Sequence, residues 1–383
     1  MEAHIKNLIA DVFDDVAAGL SGGGFGKRVR VGLTLPGSEH GEAELLRGAE
    51  LAQAADPTIE VIVIGSKAET SLTLIEADEN SAHEIMDKML SNGELDGVTT
   101  LHYNFPIGVS TIGRVVTPAM GKKMYVASTT GTSDVIRVSA MLKNAIAAIA
   151  VAKACGNAEP TVGILNIDGA RQLERALLKL QENGYPITFT KSARADGGIV
   201  MRGNDLLQGV PDIMVMDSLT GNIVMKFMSA FATGGSYEAL GDAYGPGVGD
   251  GYDKIVNIIS RASGAPVIAN SILYTAACAK GKLLSKVTAE FKLAKKAGLN
   301  DILSSFTEDT APKAATEIKA PPEKIVTEEI AGIEILELED AVRAVWAKGI
   351  YASSGMGCTG PVVLVAKEDL DAAMAAIKAA GYL

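Results

Sequence analysis

The sequence predicts an α/β fold, a three-layer αβα arrangement around a mostly parallel sheet. Short β-branched runs recur along the chain, and each is followed by a glycine, asparagine or acidic residue and then by a helix-period segment. Strands that alternate with helices pair in parallel and are covered on both faces. In such sheets ligands collect at the carboxyl ends of strands, so the residues just after each strand matter most.

The strands expected in order are RVRVGLTL near residue 30, IEVIVIG near 60, KKMYVA before Ser128, TVGILNI (161–167), PDIMVMD (211–217), APVIANS (265–271) and PVVLVA (361–366). The helix-period segments include GARQLERALLKLQENG, which places Leu173, Leu177 and Leu180 on one face, and the apolar AIAAIAVAKACGN. The expected division is an N-terminal helix over 1–27, an α/β body in two lobes over 28–304, a linker over 305–329 and a C-terminal segment over 330–383. The linker SFTEDTAPKAATEIKAPPEKIVTEE mixes Pro, Ala, Thr, Lys and Glu without apolar periodicity. The segment after it, about fifty residues, is too short to bury a good core alone and is expected to dock on the body or a partner.

Composition narrows the function classes. With 383 residues, 48% hydrophobic and 21% charged, the chain has the make-up of a globular protein with more than one compact unit. A net charge of −11 without clustered Lys and Arg argues against a nucleic-acid partner but leaves room for a small anion. No window approaches 18 uninterrupted apolar residues, and MEAHIKNLIADVFDDVAAGL alternates charged and apolar residues, so neither a membrane span nor a secretory leader is expected; the chain reads as cytoplasmic. The three cysteines are too few and too far apart in sequence for a disulfide framework or a zinc knuckle. No metal and no bound cofactor are expected. Cys155 and Cys278 sit in apolar helical context and read as core residues. Cys358 does not, because SSGMGCTGPVV (353–363) surrounds it with small residues.

Four stretches carry candidate chemistry. PGSEHGEAELLRG (36–48) places Ser38 and His40 ahead of a helix, and STTGTSD (128–134) presents Thr129 and Thr130 before a helix expected from about Val135. In MDSLTGNIVMKF (216–227), Thr220, Gly221 and Asn222 open an amphipathic helix that carries Lys226. GDAYGPGVGDGYDKIVNIISRASGAP (241–266) ends in Ser260, Arg261 and Ser263, a planar donor flanked by hydroxyls that suits phosphate. Simple helix capping and a surface ion pair are the competing readings of these features. His40 and His102 follow expected strands and are candidates for a base, while His4 and His83 read as solvated helix residues. Gly355, Gly357 and Gly360 suit a tight loop whose N–H groups could stabilise a thiolate and an oxyanion; the bland reading is a flexible turn feeding an edge strand.

These residues also carry a resemblance. VMDSLTGNIVMKF resembles the D-x-x-TGN-x-x-x-K segment of phosphate acyltransferases, and GNIVMKF followed by SRAS resembles the corresponding run of phosphate acetyltransferases. GLTLPGSEHG, PGVGDGYDKIVNIISRASGAPVIAN and SSGMGCTGPVV together resemble the alpha subunits of component C of the glycine/sarcosine/betaine reductase complex. The resemblance implies an isocitrate/isopropylmalate dehydrogenase-like fold and acyl exchange between a thioester and phosphate. It places the acetyl-carrying thiol on Cys358 and implies two partners: a component C beta subunit and the selenoprotein component A, from which the two-carbon unit comes. Inorganic phosphate is then a substrate, seated by Ser260 and Arg261 with the Thr220-Gly221-Asn222 turn and Thr129 and Thr130. The chain is expected to work as a homo- or hetero-oligomer. Two other readings stay open: a free-standing phosphate acyltransferase using a carrier or coenzyme A thioester, and a non-catalytic scaffold subunit.

Overall fold

The computed structural model describes residues 28–79, 81–194, 197–309, 318–334, 337–357 and 360–383. The expected N-terminal helix over 1–27, with His4, and the thiol of Cys358 lie outside the described residues.

Along the chain run β1 (Val29–Thr34), α1 (Glu42–Ala55), β2 (Ile59–Gly65), β3 (Thr73–Glu76), α2 (Ala82–Ser91), β4 (Gly97–Thr100), β5 (Val109–Val116), β6 (Lys123–Thr132), α3 (Arg137–Ala154), β7 (Thr161–Leu165), α4 (Ala170–Glu182), β8 (Thr188–Phe189), β9 (Val200–Met201), α5 (Gly203–Gln208), β10 (Ile213–Val215) and α6 (Ser218–Ala230). Next come β11 (Gly245–Val248), β12 (Val256–Ile258), α7 (Ala265–Lys280), α8 (Leu283–Lys296) and α9 (Leu299–Asp309). The C-terminal part holds β13 (Glu328–Ala331), α10 (Leu338–Trp346), β14 (Ala352–Gly357), β15 (Gly360–Val365) and α11 (Leu370–Ala379).

Twelve strands form one sheet in the order β3-β2-β1-β4-β12-β11-β5-β6-β10-β7-β8, with β9 beside β7. Two parallel blocks flank an antiparallel seam: β11 runs against both β12 and β5, and β5 runs against β6. The blocks therefore point in opposite directions. Strand alternation assigns the faces. Val31, Leu33, Val61 and Val63 pack with α1 and α7, and Tyr125, Ala127, Ile213 and Val215 with α3, in one continuous core. On the other face Ile62 and Ile64 meet α2, whereas Met124, Val126 and Met214 meet Met225 and Met228 of α6. This is the expected three-layer αβα arrangement. Ile258 touches both of these smaller cores, so the gap between α2 and α6 lies over the seam. Leu173, Leu177 and Leu180 form the buried face of α4, as their spacing predicts.

Three local expectations are corrected. APVIANS is not a strand but the start of α7, where Pro266 suits the first helical turn and Glu44 Oε1 accepts from Ala265 N at 2.7 Å. STTGTSD is not a loop throughout: β6 continues to Thr132, because β5 supplies its ladder from Val109 to Val116, and α3 begins only at Arg137. The expected linker is shorter at both ends, since α9 reaches Asp309 and β13 begins at Glu328. Cys155 and Cys278, distant in sequence, are neighbours in space with sulfurs 3.8 Å apart; Cys278 is buried and Cys155 half-buried.

The C-terminal part forms a three-stranded antiparallel sheet in the order β13-β15-β14. It has a core of its own, built from Ile330, Ile333, Leu338, Val342, Val345, Val363, Val365 and Ile377. Its polar contacts with the body include three on α4: Glu337 accepts from Arg175 at 2.9 Å and from Gln172 at 2.6 Å, and Glu334 accepts from the Arg171 backbone N–H at 3.3 Å. No helix among the described residues is long and apolar enough to cross a membrane.

Candidate active site

Over the seam lies a cleft of about 200 Å³ lined by Thr130, Asn222, Lys226, Tyr244, Ile258, Ile259 and Ser260. Its walls come from three of the stretches singled out in the sequence. Their convergence begins with Gly221. A Cβ at this position would collide with the carbonyl oxygen of Ser128, so only glycine lets the first turn of α6 lie directly on β6. The approach puts Asn222 Nδ2 3.1 Å from the Thr129 carbonyl, which it donates to, and carries Lys226 along the helix to the far wall. Asp217 caps α6, accepting from Leu219 N at 3.1 Å and Thr220 N at 3.0 Å.

Lys226 Nζ donates to Ser260 Oγ at 2.8 Å and pairs with Glu238. It also stands 5.5 Å from the centre of the Tyr244 ring. Glu238 is 1% exposed. A carboxylate so deep needs partners, and it has three, accepting from Lys226, from Tyr244 OH at 2.9 Å and from Ser263 Oγ at 3.3 Å. Burial, reinforced by the neighbouring Glu238 carboxylate, pushes the Tyr244 phenol far above its ordinary value, so it remains a donor. Ser260 completes the network: its Oγ accepts from Ala262 N at 3.1 Å and its N–H donates to Ser263 Oγ at 3.1 Å. A buried carboxylate therefore orients a cation whose head stays half-exposed at the cleft.

The other candidate residues divide between the rim of the cleft, its supporting structure and more distant positions. Arg261 succeeds Ser260 on an exposed turn, and among the described residues its guanidinium has no ion-pair partner; its carbonyl accepts from Glu39 N at 2.9 Å. That bond brings the PGSEH turn against the SRAS turn, with the His40 ring 6.0 Å from Tyr237, edge to face, and the His40 N–H donating to Ser38 Oγ at 3.1 Å. Thr129 is buried, its hydroxyl 2.7 Å from Thr111 Oγ1 and bonded to the Tyr244 carbonyl, while the Thr220 hydroxyl donates to Asp217 at 2.6 Å. Both hydroxyls are thus taken up in packing and capping, and Thr130 is the threonine at the cleft. His102 lies just after β4 beside His83, ring centres 6.4 Å apart. His83, expected to be solvated, is half-buried with Nε2 3.4 Å from Thr100 Oγ1; burial, and next the nearby His102, hold its pKa below the ordinary value. Neither His40 nor His102 lines the cleft.

Gly355 and Gly357 lie within β14, paired with Val362 and Gly360, so the stretch expected as a loop is an antiparallel ladder with residues 358 and 359 between its strands. The residues that sequence reasoning left out of the site are Lys226, Glu238 and Tyr244. Lys226 was visible in the GN-x-x-x-K spacing. Glu238 and Tyr244 sit in an irregular connection and had no local signal. Among the described residues no group of His, Cys, Asp and Glu is placed to hold a metal ion.

The family model of fatty acid synthesis protein matches residues 29–364. The chain is 53% identical over 384 aligned residues to the glycine/sarcosine/betaine reductase complex component C subunit alpha of Peptoclostridium acidaminophilum, covering 100% of both chains. The chain belongs to this family. It is also 25% identical over 240 residues to a phosphate acyltransferase of Thermotoga petrophila, across 54% of this chain and 69% of that one. A branched-chain phosphotransacylase from Enterococcus faecalis superposes with a TM-score of 0.46 at 17% identity, over 65% of this chain and 99% of that one.

Proposed function

We propose that the chain is the acyl-transferring alpha subunit of a glycine/sarcosine/betaine reductase component C, moving an acetyl group from a thioester on Cys358 to inorganic phosphate. The observation that supports this most is the convergence of Lys226, Ser260, Asn222 and Thr130 in one cleft, from stretches far apart in the chain. A half-exposed ammonium fixed by a buried carboxylate, beside a hydroxyl and an amide, is a seat for a small oxyanion. Arg261 follows Ser260 in the chain but does not line the cleft, so the cation there is Lys226.

Those groups suit one order of bond changes. A phosphate oxygen forms the new C–O bond to the thioester carbonyl, the C–S bond breaks, and the electron pair leaves on the Cys358 sulfur. Lys226 and Ser260 hold the attacking phosphate in place, and holding the reactants together removes much of the entropic barrier. Glu238 and Tyr244 act as positioning residues, keeping the Lys226 head aimed at Ser260. The two-carbon unit reaches Cys358 from the carboxymethyl group on the selenoprotein component A, whose selenium is oxidised as the acetyl thioester forms, with the component C beta subunit as neighbour, so the chain works within a multi-subunit complex. It needs no bound cofactor.

The test is to incubate the purified chain with labelled acetyl phosphate, quench in acid and map the hydroxylamine-sensitive acetyl group. Label on Cys358, absent in Cys358→Ser, is the expected result. Acyl phosphate exchange undiminished in Cys358→Ser would mean a free-standing phosphate acyltransferase. No label even with the beta subunit present would mean a scaffold.

A further inference from the structure

A larger cavity of the molecule lies away from the candidate active site. About 450 Å³ in volume, it opens where α4 and the strand β9 meet the C-terminal unit. Four of the eleven arginines in the sequence line it: Arg171 and Arg175 from successive turns of α4, and Arg194 and Arg202 from the segment around β9. Asn166, at the end of β7, adds an amide, and Gly332 of the C-terminal unit closes one side. The lining concentrates four guanidinium groups, with Asp205 near Arg194 outside it. Glu174 is the carboxylate in the lining, bonded to Arg171 at 2.8 Å. Arg175 is held from outside the lining, by Glu337 at 2.9 Å, and the Arg171 and Arg175 side chains remain 36% and 32% exposed.

We propose that this cavity binds a diphosphate group, and that the diphosphate competes with Glu337 for Arg175. Arginine is suited to bidentate recognition of phosphate oxygens, and several forks around one cavity match a group with two phosphates better than a single carboxylate does. The volume accommodates the diphosphate with a nucleoside attached. Occupancy and docking of the C-terminal unit are then linked: a ligand that takes Arg175 releases Glu337, which together with Glu334 bonds that unit to α4. The inference concerns a site separate from the Lys226 cleft and does not depend on the reaction assigned there.

Calorimetric titration of the full chain with inorganic pyrophosphate and, separately, with ADP tests this, with circular dichroism to verify folding of each variant. Both probes are expected to bind, Arg175→Gln to weaken binding by about tenfold, and Glu337→Gln to tighten it several-fold because the competing carboxylate is gone. Opposite signs from the two halves of one ion pair are what a purely structural ion pair would not give. Pyrophosphate binding alone would identify an inorganic diphosphate as the ligand, and tighter ADP binding a nucleotide. The same titrations in Lys226→Ala, which removes any binding of the probes at the phosphate cleft, are expected to retain the Arg175-dependent binding. Wild-type chain that binds neither probe, binding lost in Lys226→Ala but retained in Arg175→Gln, or Arg175→Gln and Glu337→Gln shifting affinity in the same direction would overturn the proposal.

Discussion

The cleft of the body and the hairpin of the C-terminal unit both depend on small residues, but in different mechanical settings. At the cleft, glycine is needed because two backbones touch. Gly221 presses α6 onto β6, and a Cβ on Gly245, at φ 108°, would run into the Ile112 carbonyl. In the hairpin, a Cβ at Gly355 would meet Leu364 Cδ1 at 2.9 Å, the end of a side chain that can rotate away. The body therefore fixes its polar groups by long-range backbone contact, whereas the hairpin fixes its strands by a local ladder and leaves side-chain space. A seat for an anion suits the first setting.

That contrast can be broken by substitution. Gly221→Val is expected to have the largest effect, costing about 3 kcal/mol or more because the obstacle is the Ser128 carbonyl and cannot yield, with failure to fold cooperatively in thermal melts. Glu238→Gln comes next. It removes the buried charge that Lys226, Tyr244 and Ser263 bond to, and should cost roughly 1–3 kcal/mol in denaturant unfolding.

Asp217→Ala should cost about 1 kcal/mol, the value of an N-cap. Its dependence on pH has a definite sign. Burial alone would raise the Asp217 pKa, but bonds from Thr220 and Arg137 outweigh it and hold the carboxyl below its ordinary value. The contribution is thus complete above the unfolded value of about 3.9 and is lost as pH falls through the lower folded value. The gap between wild type and Asp217→Ala should be flat from about pH 7 to 5 and close in stronger acid. Gly355→Ala should be nearly silent in melts, within about 1 kcal/mol, since Leu364 can move. A loss as large as that of Gly221→Val would erase the distinction between the two regions.

Legibility in the sequence divides along the same line. The α/β class, α4 with its leucine face, and the start of α6 at TGN rest on local periodicity and capping, and all three are seen. The convergence of the 130, 222 and 260 regions was anticipated only through the resemblance. No spacing along the chain encodes that two parallel blocks run in opposite directions around β11 and β5. The misread stretches have one cause each. APVIANS has a strand's β-branched residues, but Pro266 suits a first helical turn and Glu44 of another helix accepts from Ala265 N at the helix start. SSGMG has a loop's composition but gains a partner in β15. Glu238 and Tyr244 were invisible because their roles exist only once Lys226 has been carried to them.

The most direct measurement starts from chain acetylated on Cys358 by a small acetyl thioester and freed of the donor. Phosphate is then added and acetyl phosphate release monitored for wild type and Lys226→Ala. Wild type should release acetyl phosphate in proportion to phosphate at low concentration, while Lys226→Ala keeps its acetyl group and releases it about a hundredfold more slowly. Release at the wild-type rate from Lys226→Ala would contradict the assignment of the cleft as the phosphate seat.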